Sequence, residues 1–97
     1  MTIERVQNGS ELTLKLDGRL DTKTAPDLEE ALRDLKGVTE LVIDLEKVEY
    51  VSSAGLRVLL KAKKAMCGEG YMKLKNLNSL VKEVLEITGL TSVLSAE

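Results

Sequence analysis

The sequence predicts a single-domain α/β sandwich with a mostly parallel central sheet of four to five strands and helices packed on it. Strand-like and helix-like hydrophobic patterns alternate in the order β-β-α-β-α-β-α-β, which favours parallel strands joined by helices. The apolar run Leu41-Val42-Ile43, which closes in Asp44, is typical of a strand buried on both faces of such a sheet. At 97 residues, the chain has room for one hydrophobic core, so we expect residues 1–97 to form one domain.

The first two strands are predicted to form a hairpin. Residues 11–17 alternate leucine with polar residues, which is the period of a strand with one buried face. A weaker strand candidate covers residues 2–6, and the turn dipeptide Asn8-Gly9 lies between the two. We expect the second strand to end at Gly18–Asp21.

The first helix and the buried strand after it have clear sequence boundaries. The helical pattern begins near Pro26, carries acidic residues in its first turn and basic residues in its last, through Lys36, and is followed by Gly37. The buried strand covers residues 40–45 and continues as 48–51 towards the next helix. The spacing therefore predicts a helix of about three turns followed by the central strand.

Two further helices follow. The second begins after Ser52-Ser53 and is stopped by Gly68, whereas the third is capped by Asn78 or Ser79 and stopped by Gly89. The remaining strand candidates are short and cover residues 71–74 and 92–94.

The composition excludes several classes of function. The chain has no His, which excludes a Ser-His-Asp triad, an imidazole base and imidazole-ligated metals. The single thiol, Cys67, forms no intrachain disulfide and is expected to be a small core residue. The absence of Phe and Trp and the net charge of −2 argue against nucleic-acid binding. We therefore expect no metal, no cofactor and no nucleic acid, and enzymatic activity is disfavoured because the chain has few of the groups that most enzymes use.

The predicted location is the cytoplasm. The N-terminus lacks a basic start followed by an apolar stretch, so we expect no signal peptide. No segment approaches the roughly 18–20 apolar residues of a membrane span, so we expect no membrane insertion. We expect a monomer when the protein is free of partners.

Functional residues of open α/β sheets gather at the carboxyl ends of the strands. Three segments fit this description, namely 18–21, 44–47 and 51–55, and the third is the most informative. There, Ser52 and Ser53 lie where a strand leads into a helix, whose free N–H groups favour a phosphate placed on a serine. The alternative is that one of these serines only caps the helix.

The segment Val48–Leu56 resembles the signature of STAS domains, especially those of bacterial anti-sigma factor antagonists. In that signature, a hydrophobic residue precedes Asp-Ser-Ser/Thr-Gly-Leu. Gly18–Asp21 resembles the family's Gly-x-Leu-Asp, residues 41–45 its central strand, and residues 84–90 its late helix ending in Gly-Leu. The resemblance covers nearly the whole chain and implies that residues 1–97 form a single STAS domain.

The resemblance implies a partner switch in bacterial transcription regulation. An unphosphorylated antagonist binds an anti-sigma factor, which is also a serine kinase of the GHKL type, and so frees a sigma factor. Phosphorylation of the antagonist blocks this binding, and a serine phosphatase reverses it. By position, the phosphoacceptor is Ser53. Ser52, which stands where the family has an aspartate, is the second choice.

The resemblance also implies a partner-binding surface around the phosphoacceptor, with the strand-end residues Asp21 and Asp44 near Ser53. A phosphate adds about −1.5 to −2 charges, which would face these carboxylates and oppose burial in an interface. The expected partner-binding residues are Asp21, Asp44, Ser52, Ser53, Ala54, Gly55, Leu56 and Arg57.

Two other functions stay open at this point. One is a non-switching STAS scaffold subunit of a transport or signalling complex, because Ser52 replaces the usual aspartate. The other is a small carboxylate-based enzyme that uses Asp21 and Asp44. The second is disfavoured because the sequence shows no metal-ligand set and no cofactor loop.

Overall fold

The computed structural model describes residues 1–66, 68 and 70–94. The prediction for Cys67 therefore lies outside the described residues. The elements are β1 (Thr2–Asn8), β2 (Glu11–Leu20), α1 (Ala25–Ala31), β3 (Glu40–Val51), α2 (Ser53–Met66), β4 (Tyr71–Lys75) and α3 (Ser79–Thr88). This is the predicted order for the first seven elements.

The four strands form one sheet in the order β1-β2-β3-β4. β1 and β2 pair antiparallel as the predicted hairpin, and Gly9, at φ 65°, takes the left-handed conformation that glycine adopts without strain in its turn. β3 pairs parallel with both β2 and β4. The sheet is therefore mixed and mostly parallel, as predicted.

One hydrophobic core lies between the helices and one face of the sheet. Alternating positions of β2, β3 and β4 fill it, because successive side chains of a strand point to opposite faces. Val42 is also buried, at 4% exposed, but it lies outside this core cluster and therefore on the opposite face. This confirms that β3 is buried on both of its faces. The sheet residues that are fully or almost fully buried in the core are Leu12, Leu14, Leu16, Leu20, Leu41, Ile43, Leu45, Val48, Met72 and Leu74.

The strands differ in how far they run. β4 pairs only with Glu40–Asp44, whereas β3 continues to Val51 and stays paired with β2 as far as Leu20. Two register shifts interrupt the β2–β3 pairing, as β-bulges do. The carboxyl ends of β2 and β3 therefore extend together beyond the end of β4.

Helix α1 ends earlier than predicted, at Ala31 rather than near Lys36. Beyond its end, the side chain of Asp34 accepts a hydrogen bond of 3.2 Å from the backbone N–H of Lys36. Such local bonds compete with helical backbone bonds. The guanidinium of Arg5 on β1 also donates to the carbonyl of Ala31 at 2.9 Å, which satisfies one of the terminal carbonyls. Leu35 still packs against the core, which explains the longer helical spacing in the sequence.

Helix α3 has the predicted boundaries, with Asn78 as its N-cap and Gly89 in the left-handed conformation at its end. The short strand expected at 92–94 is absent from the described part of the chain, where residues 91–94 form turns. Leu94 donates its N–H to the carbonyl of Leu90 at 2.9 Å, and its side chain is fully buried. The apolar pattern therefore reflects burial of a turn rather than strand pairing.

Candidate functional site

The candidate site lies where β2 and β3 end side by side and α2 begins. Leu20 and Val51 are the last register pair of the two strands. The N–H of Ser52 then donates to the carbonyl of Leu20 at 2.8 Å, which extends the pairing by one residue. Asp21 and Ser52 directly follow this pair, so they lie next to each other, since paired strands are about 4.8 Å apart.

The two serines have different roles in the structure. The hydroxyl of Ser52 accepts a hydrogen bond of 3.3 Å from the N–H of Gly55, and its carbonyl accepts one of 2.9 Å from Leu56. These are the bonds of an N-cap residue. Ser53 is the first residue of α2 and is exposed, and its side chain makes no hydrogen bond to the residues that the structure describes. The capping role therefore falls to Ser52 and leaves the hydroxyl of Ser53 open to solvent.

Gly55 allows the first turn of α2 to press against the end of β2. A Cβ atom at this position would lie 2.6 Å from Cγ of Leu20 and 3.0 Å from its carbonyl oxygen. Both distances are shorter than normal van der Waals contacts. Because Gly55 has no side chain, the first turn of α2 can lie directly against the end of β2.

Asp21 organises the connection between β2 and α1. Its Oδ1 accepts hydrogen bonds from the N–H groups of Lys23, at 3.0 Å, and Thr24, at 3.2 Å, while its own N–H donates to the hydroxyl of Thr24 at 2.9 Å. Desolvation alone would raise the pKa of the Asp21 carboxyl, but the backbone hydrogen bonds from Thr24 and Lys23 outweigh it and lower that pKa. Asp21 is therefore a fixed, ionised carboxylate beside the start of α2.

Arg19 and Tyr50 belong to the same end of the sheet, although the sequence analysis did not select them. They are a register pair of β2 and β3, and the guanidinium carbon of Arg19 lies 4.5 Å from the centroid of the Tyr50 ring. Nε of Arg19 is also 3.7 Å from Oδ2 of Asp21. Each residue lies two positions before a predicted site residue, Asp21 or Ser52, so the period-2 alternation of strands could have identified both.

Asp44 does not lie near Ser53, contrary to the expectation from the family resemblance. It is seven residues before the end of β3, a distance of roughly 23 Å along an extended strand, and it pairs in register with Lys15 and Lys75. It is 7% exposed, and its carboxylate accepts hydrogen bonds of 3.0 Å from Asn76 Nδ2 and from the N–H of Glu46. Asp44 therefore stabilises the chain just after β4 and is separate from the candidate site.

The residues predicted to bind a partner also differ in exposure. Leu56 is 8% exposed and belongs to the core, whereas Arg57 is exposed one helical turn after Ser53, on the same side of α2. The exposed members are Ser53 and Arg57, the half-buried members are Asp21, Ser52 and Ala54, and the buried members are Asp44, Gly55 and Leu56.

The electrostatics of the site favour an anion at the start of α2. The segment Ser53–Arg57 contains no acidic residue, and the free N–H groups of a helix N-terminus carry partial positive charge. Within the described ranges, no group of three or more His, Cys, Asp or Glu residues could hold a metal ion. No described helix has the length and apolar character of a membrane span.

Comparison with known proteins places these features in a family. A family model described as "Mlab, STAS domain" matches residues 3–95. The chain is 41% identical over 81 residues to BtrV of Bordetella bronchiseptica, provisionally named an anti-sigma factor antagonist, covering 80% of this chain and 70% of BtrV.

Two solved proteins have the same fold. An anti-sigma factor antagonist from Mycobacterium paratuberculosis superimposes with a TM-score of 0.87 at 25% identity, covering 98% of this chain and 83% of that one. The antagonist SpoIIAA of Bacillus, in its unphosphorylated form, gives a TM-score of 0.84 at 17% identity, covering 99% of this chain and 88% of that one.

The named relatives are anti-sigma factor antagonists, which are regulatory proteins and not enzymes. This agrees with the expectation that the chain is not an enzyme. Because the family model covers almost the whole chain, and BtrV is 41% identical over most of both sequences, the chain belongs to the STAS domain family.

Proposed function

We propose that this protein is an anti-sigma factor antagonist and that phosphorylation of Ser53 switches off its binding to an anti-sigma factor. The role as an antagonist is supported by the names of its relatives, which include BtrV and the Mycobacterium protein. The switch is supported by the fold it shares with SpoIIAA, which has been solved in both unphosphorylated and phosphorylated forms. The partners that we propose, a GHKL-type serine kinase and a serine phosphatase, follow from the family resemblance.

The observation that carries this proposal is the division of roles between the two serines. Ser52 caps α2 through its hydroxyl, so a phosphate on Ser52 would remove a bond that holds the helix start. Ser53 is exposed, and its hydroxyl contacts none of the described residues through a hydrogen bond. A kinase can therefore modify Ser53 without breaking the cap.

The local charges explain how one phosphate would weaken binding. The phosphate would add about −1.5 to −2 charges at neutral pH. The carboxylate of Asp21, which follows β2 at the same end of the sheet, is held by Lys23 and Thr24. An interface that covers Ser53 would have to desolvate both charges, and burying uncompensated charge costs several kcal/mol. Since about 1.4 kcal/mol corresponds to a tenfold change in affinity, we expect a loss of at least about a hundredfold without any refolding.

The test is a pull-down from the cytoplasm of the native bacterium with wild type, Ser53→Ala and Ser53→Asp as baits. We expect wild type and Ser53→Ala to retain a GHKL-type kinase, identified by mass spectrometry, and Ser53→Asp to lose it. Ser10→Asp is the charge-matched control, because Ser10 is exposed in the β1–β2 turn, at the opposite end of β2. Phosphosite mapping on the recovered wild-type protein should find the phosphate on Ser53.

Equal recovery of the kinase by wild type and Ser53→Asp would contradict the switch. A phosphate mapped to Ser52 would contradict the assignment of the phosphoacceptor. The alternative of a non-switching scaffold predicts that all four baits recover the same transport or signalling complex. The cytoplasmic extract is the appropriate source because we also propose that the protein acts in the cytoplasm.

A further inference from the structure

Arg57 is the first cation after Ser53 on α2, and its exposed side chain has no hydrogen-bond or ion-pair partner among the described residues. The helix carries four basic residues, from Arg57 to Lys64, and no acidic residue, so no carboxylate of α2 can pair with them. The next cation on this side of the helix, Lys61, lies 3.7 Å from Oε2 of Glu29 on α1. The guanidinium of Arg57 is therefore available for a further anion.

Helix geometry brings Arg57 close to Ser53. The two residues are four positions apart within α2, so their Cβ atoms lie about 5–6 Å apart on one face of the helix. Side chains of a helix lean towards its N-terminus, so the side chain of Arg57 extends back over the turn that begins at Ser53. The hydrogen bonds of the Ser52 cap hold this turn in helical form. The guanidinium can therefore reach a phosphate on Ser53 without a change in the backbone.

The charge pattern of α2 lacks an anion at its start. The first turn has no acidic residue, and Arg57 and Lys61 are like charges four positions apart, a spacing at which they destabilise a helix. The stabilising arrangement places an acidic group four positions before a basic one. A phosphate on Ser53 creates this arrangement with Arg57.

The chemistry of arginine suits a phosphate at this spacing. The planar guanidinium presents its N–H donors as a fork that matches phosphate oxygens, and such charge-assisted hydrogen bonds are stronger than neutral ones. A phosphate offers three acceptor oxygens and up to two negative charges. It therefore attracts Arg57 more strongly than a single carboxylate at the same position would.

We propose that Arg57 forms an ion pair with the phosphate of phosphorylated Ser53 within α2. This proposal deepens the proposed function and rests on Ser53 being the phosphoacceptor. The pair stabilises the first turns of the modified helix, and it withdraws the guanidinium of Arg57 from any anti-sigma factor that contacts the unmodified surface. One modification thus changes two neighbouring groups of the predicted binding surface.

The test uses the full chain with phosphoserine incorporated during translation at position 53. A 31P NMR titration then measures the second pKa of the phosphate, which is about 6 for a free phosphoserine. We expect a pKa below that value in the otherwise wild-type chain. In Arg57→Gln, the pKa should rise by about half a unit, because an adjacent cation favours the dianion.

Lys64→Gln is the matched control and should leave the pKa nearly unchanged. Lys64 is an exposed cation of the same helix, about three turns after Ser53 and so on the same side. It lies roughly 16 Å further along the helix axis, where salt screens its charge. The charged groups on the elements beside α2, namely Asp21 after β2 and the pair of Glu29 and Lys61, are the same in all variants, so their effect cancels in the comparison.

A pKa that is the same with Arg57 and with Arg57→Gln would overturn the proposal, as would an equal rise in Arg57→Gln and Lys64→Gln. A second readout is the Nε–H resonance of Arg57, which should shift when position 53 carries phosphoserine rather than serine. An unchanged resonance would contradict the ion pair. Arg57→Lys should keep part of the lowering of the pKa, because it retains the charge but not the planar fork.

These outcomes are independent of the proposed function. Because the phosphoserine is introduced during synthesis, the Arg57 contact can be found even if no kinase modifies Ser53 in the cell. Conversely, failure of the Arg57 contact would leave the phosphosite mapping and the pull-down results unaffected.

Discussion

Helices α2 and α3 begin with the same arrangement, a capping polar residue followed by an exposed serine. The pairs are Ser52 and Ser53 at α2, and Asn78 and Ser79 at α3. Their surroundings differ, because α2 begins where β2 and β3 end together beside Asp21, whereas α3 begins after the short strand β4. An exposed serine in the first helical position is therefore not in itself a sign of function. The groups around each serine distinguish the start of α2 from the start of α3.

The caps also differ in how firmly they hold the helix. Asn78 is fixed at both ends of its amide, because Oδ1 accepts a hydrogen bond of 2.9 Å from the N–H of Val81 and Nδ2 donates to the carbonyl of Val48. Ser52 offers its hydroxyl to one N–H, that of Gly55, at the longer distance of 3.3 Å. The comparison indicates that α3 depends on its cap, while α2 depends more on contact with β2.

The largest effect is expected for Asn78→Ala, which removes the cap of α3 and leaves the Val48 carbonyl without its side-chain partner. Losing an N-cap costs about 1 kcal/mol and a further hydrogen bond about the same, so we expect the free energy of unfolding to fall by about 2 kcal/mol. Urea denaturation measures this loss. Asn78→Asp keeps the cap but not the donor and should lose about half as much. A loss below about 1 kcal/mol in Asn78→Ala would contradict the conclusion that Asn78 holds α3 more firmly than Ser52 holds α2.

Gly55→Ala tests the contact between α2 and β2. Overpacking against Leu20 costs about 1–3 kcal/mol, and the better helix propensity of alanine offsets about 1 kcal/mol, so we expect a net loss of up to about 2 kcal/mol in urea denaturation. In a Leu20→Ala background, the same substitution should cost less, because part of the overlap is gone. Equal costs in the two backgrounds would show that Leu20 is not the group that excludes a side chain.

A smaller loss is expected for Ser52→Ala. Removing the weaker cap should lower the free energy of unfolding by about 1 kcal/mol, whereas Ser52→Asp should stay within about 0.5 kcal/mol of wild type, because a carboxylate can cap the same N–H. Both variants should still be phosphorylated at Ser53 in mass-spectrometric mapping. If Ser52→Ala is as stable as wild type, α2 is held by the Leu20 contact alone.

The smallest effect concerns acid, because a titratable carboxylate flanks the start of α2 and a neutral amide caps α3. The pKa of Asp21 is lowered in the folded protein, so its stabilisation is present above its ordinary value of about 3.8 and is lost as the pH falls through the folded pKa. We therefore expect Asp21→Asn to flatten the fall in stability below about pH 3.8.

Hydrogen exchange should show the connection between β2 and α1, which Asp21 holds through Lys23 and Thr24, opening in acid before the start of α3. The comparison with Asp21→Asn is needed because titration of Glu40 changes the stability of the fold in the opposite direction. A hydrogen bond with Glu11 raises the pKa of the Glu40 carboxyl, so its protonation stabilises the fold as the pH falls. If the free energy of unfolding falls equally with pH in wild type and Asp21→Asn, Asp21 does not contribute to the acid sensitivity of the fold.

Much of the fold could be predicted because the local signals and the tertiary structure agree. The Asn8-Gly9 turn, the apolar run of β3 and the Asn78 and Gly89 boundaries of α3 are all determined by neighbouring residues. The prediction for the end of α1 was wrong because the Asp34 side chain bonds the backbone in place of a further helical turn. The helical spacing of the leucines continues to Leu35, whereas the helix itself ends at Ala31.

The site could be predicted only in part. Helix-start signals identified Ser52, Ser53 and Gly55, but sequence order does not say how far each strand runs beyond its neighbour. The position of Asp44 was therefore wrong, because β4 ends opposite it while β3 continues for seven residues. Strand alternation could have grouped Arg19 with Asp21 and Tyr50 with Ser52, but the pairing of Arg19 with Tyr50 depends on a register shift, where β3 has one residue more than β2, that local sequence does not indicate.

The hydrogen bond from Ser52 to the carbonyl of Leu20 ties the candidate site to the folding of the whole chain. It joins the start of α2 to a strand that precedes α1 and β3, so it forms only when the carboxyl ends of β2 and β3 lie side by side. Local opening at α2 cannot preserve the surface around Ser53, because that surface is formed by chain segments distant in sequence. For the proposed switch at Ser53, we therefore expect the competent amount in the cell to follow the folded fraction, so that destabilising substitutions far from Ser53 lower partner binding in proportion to the molecules they unfold.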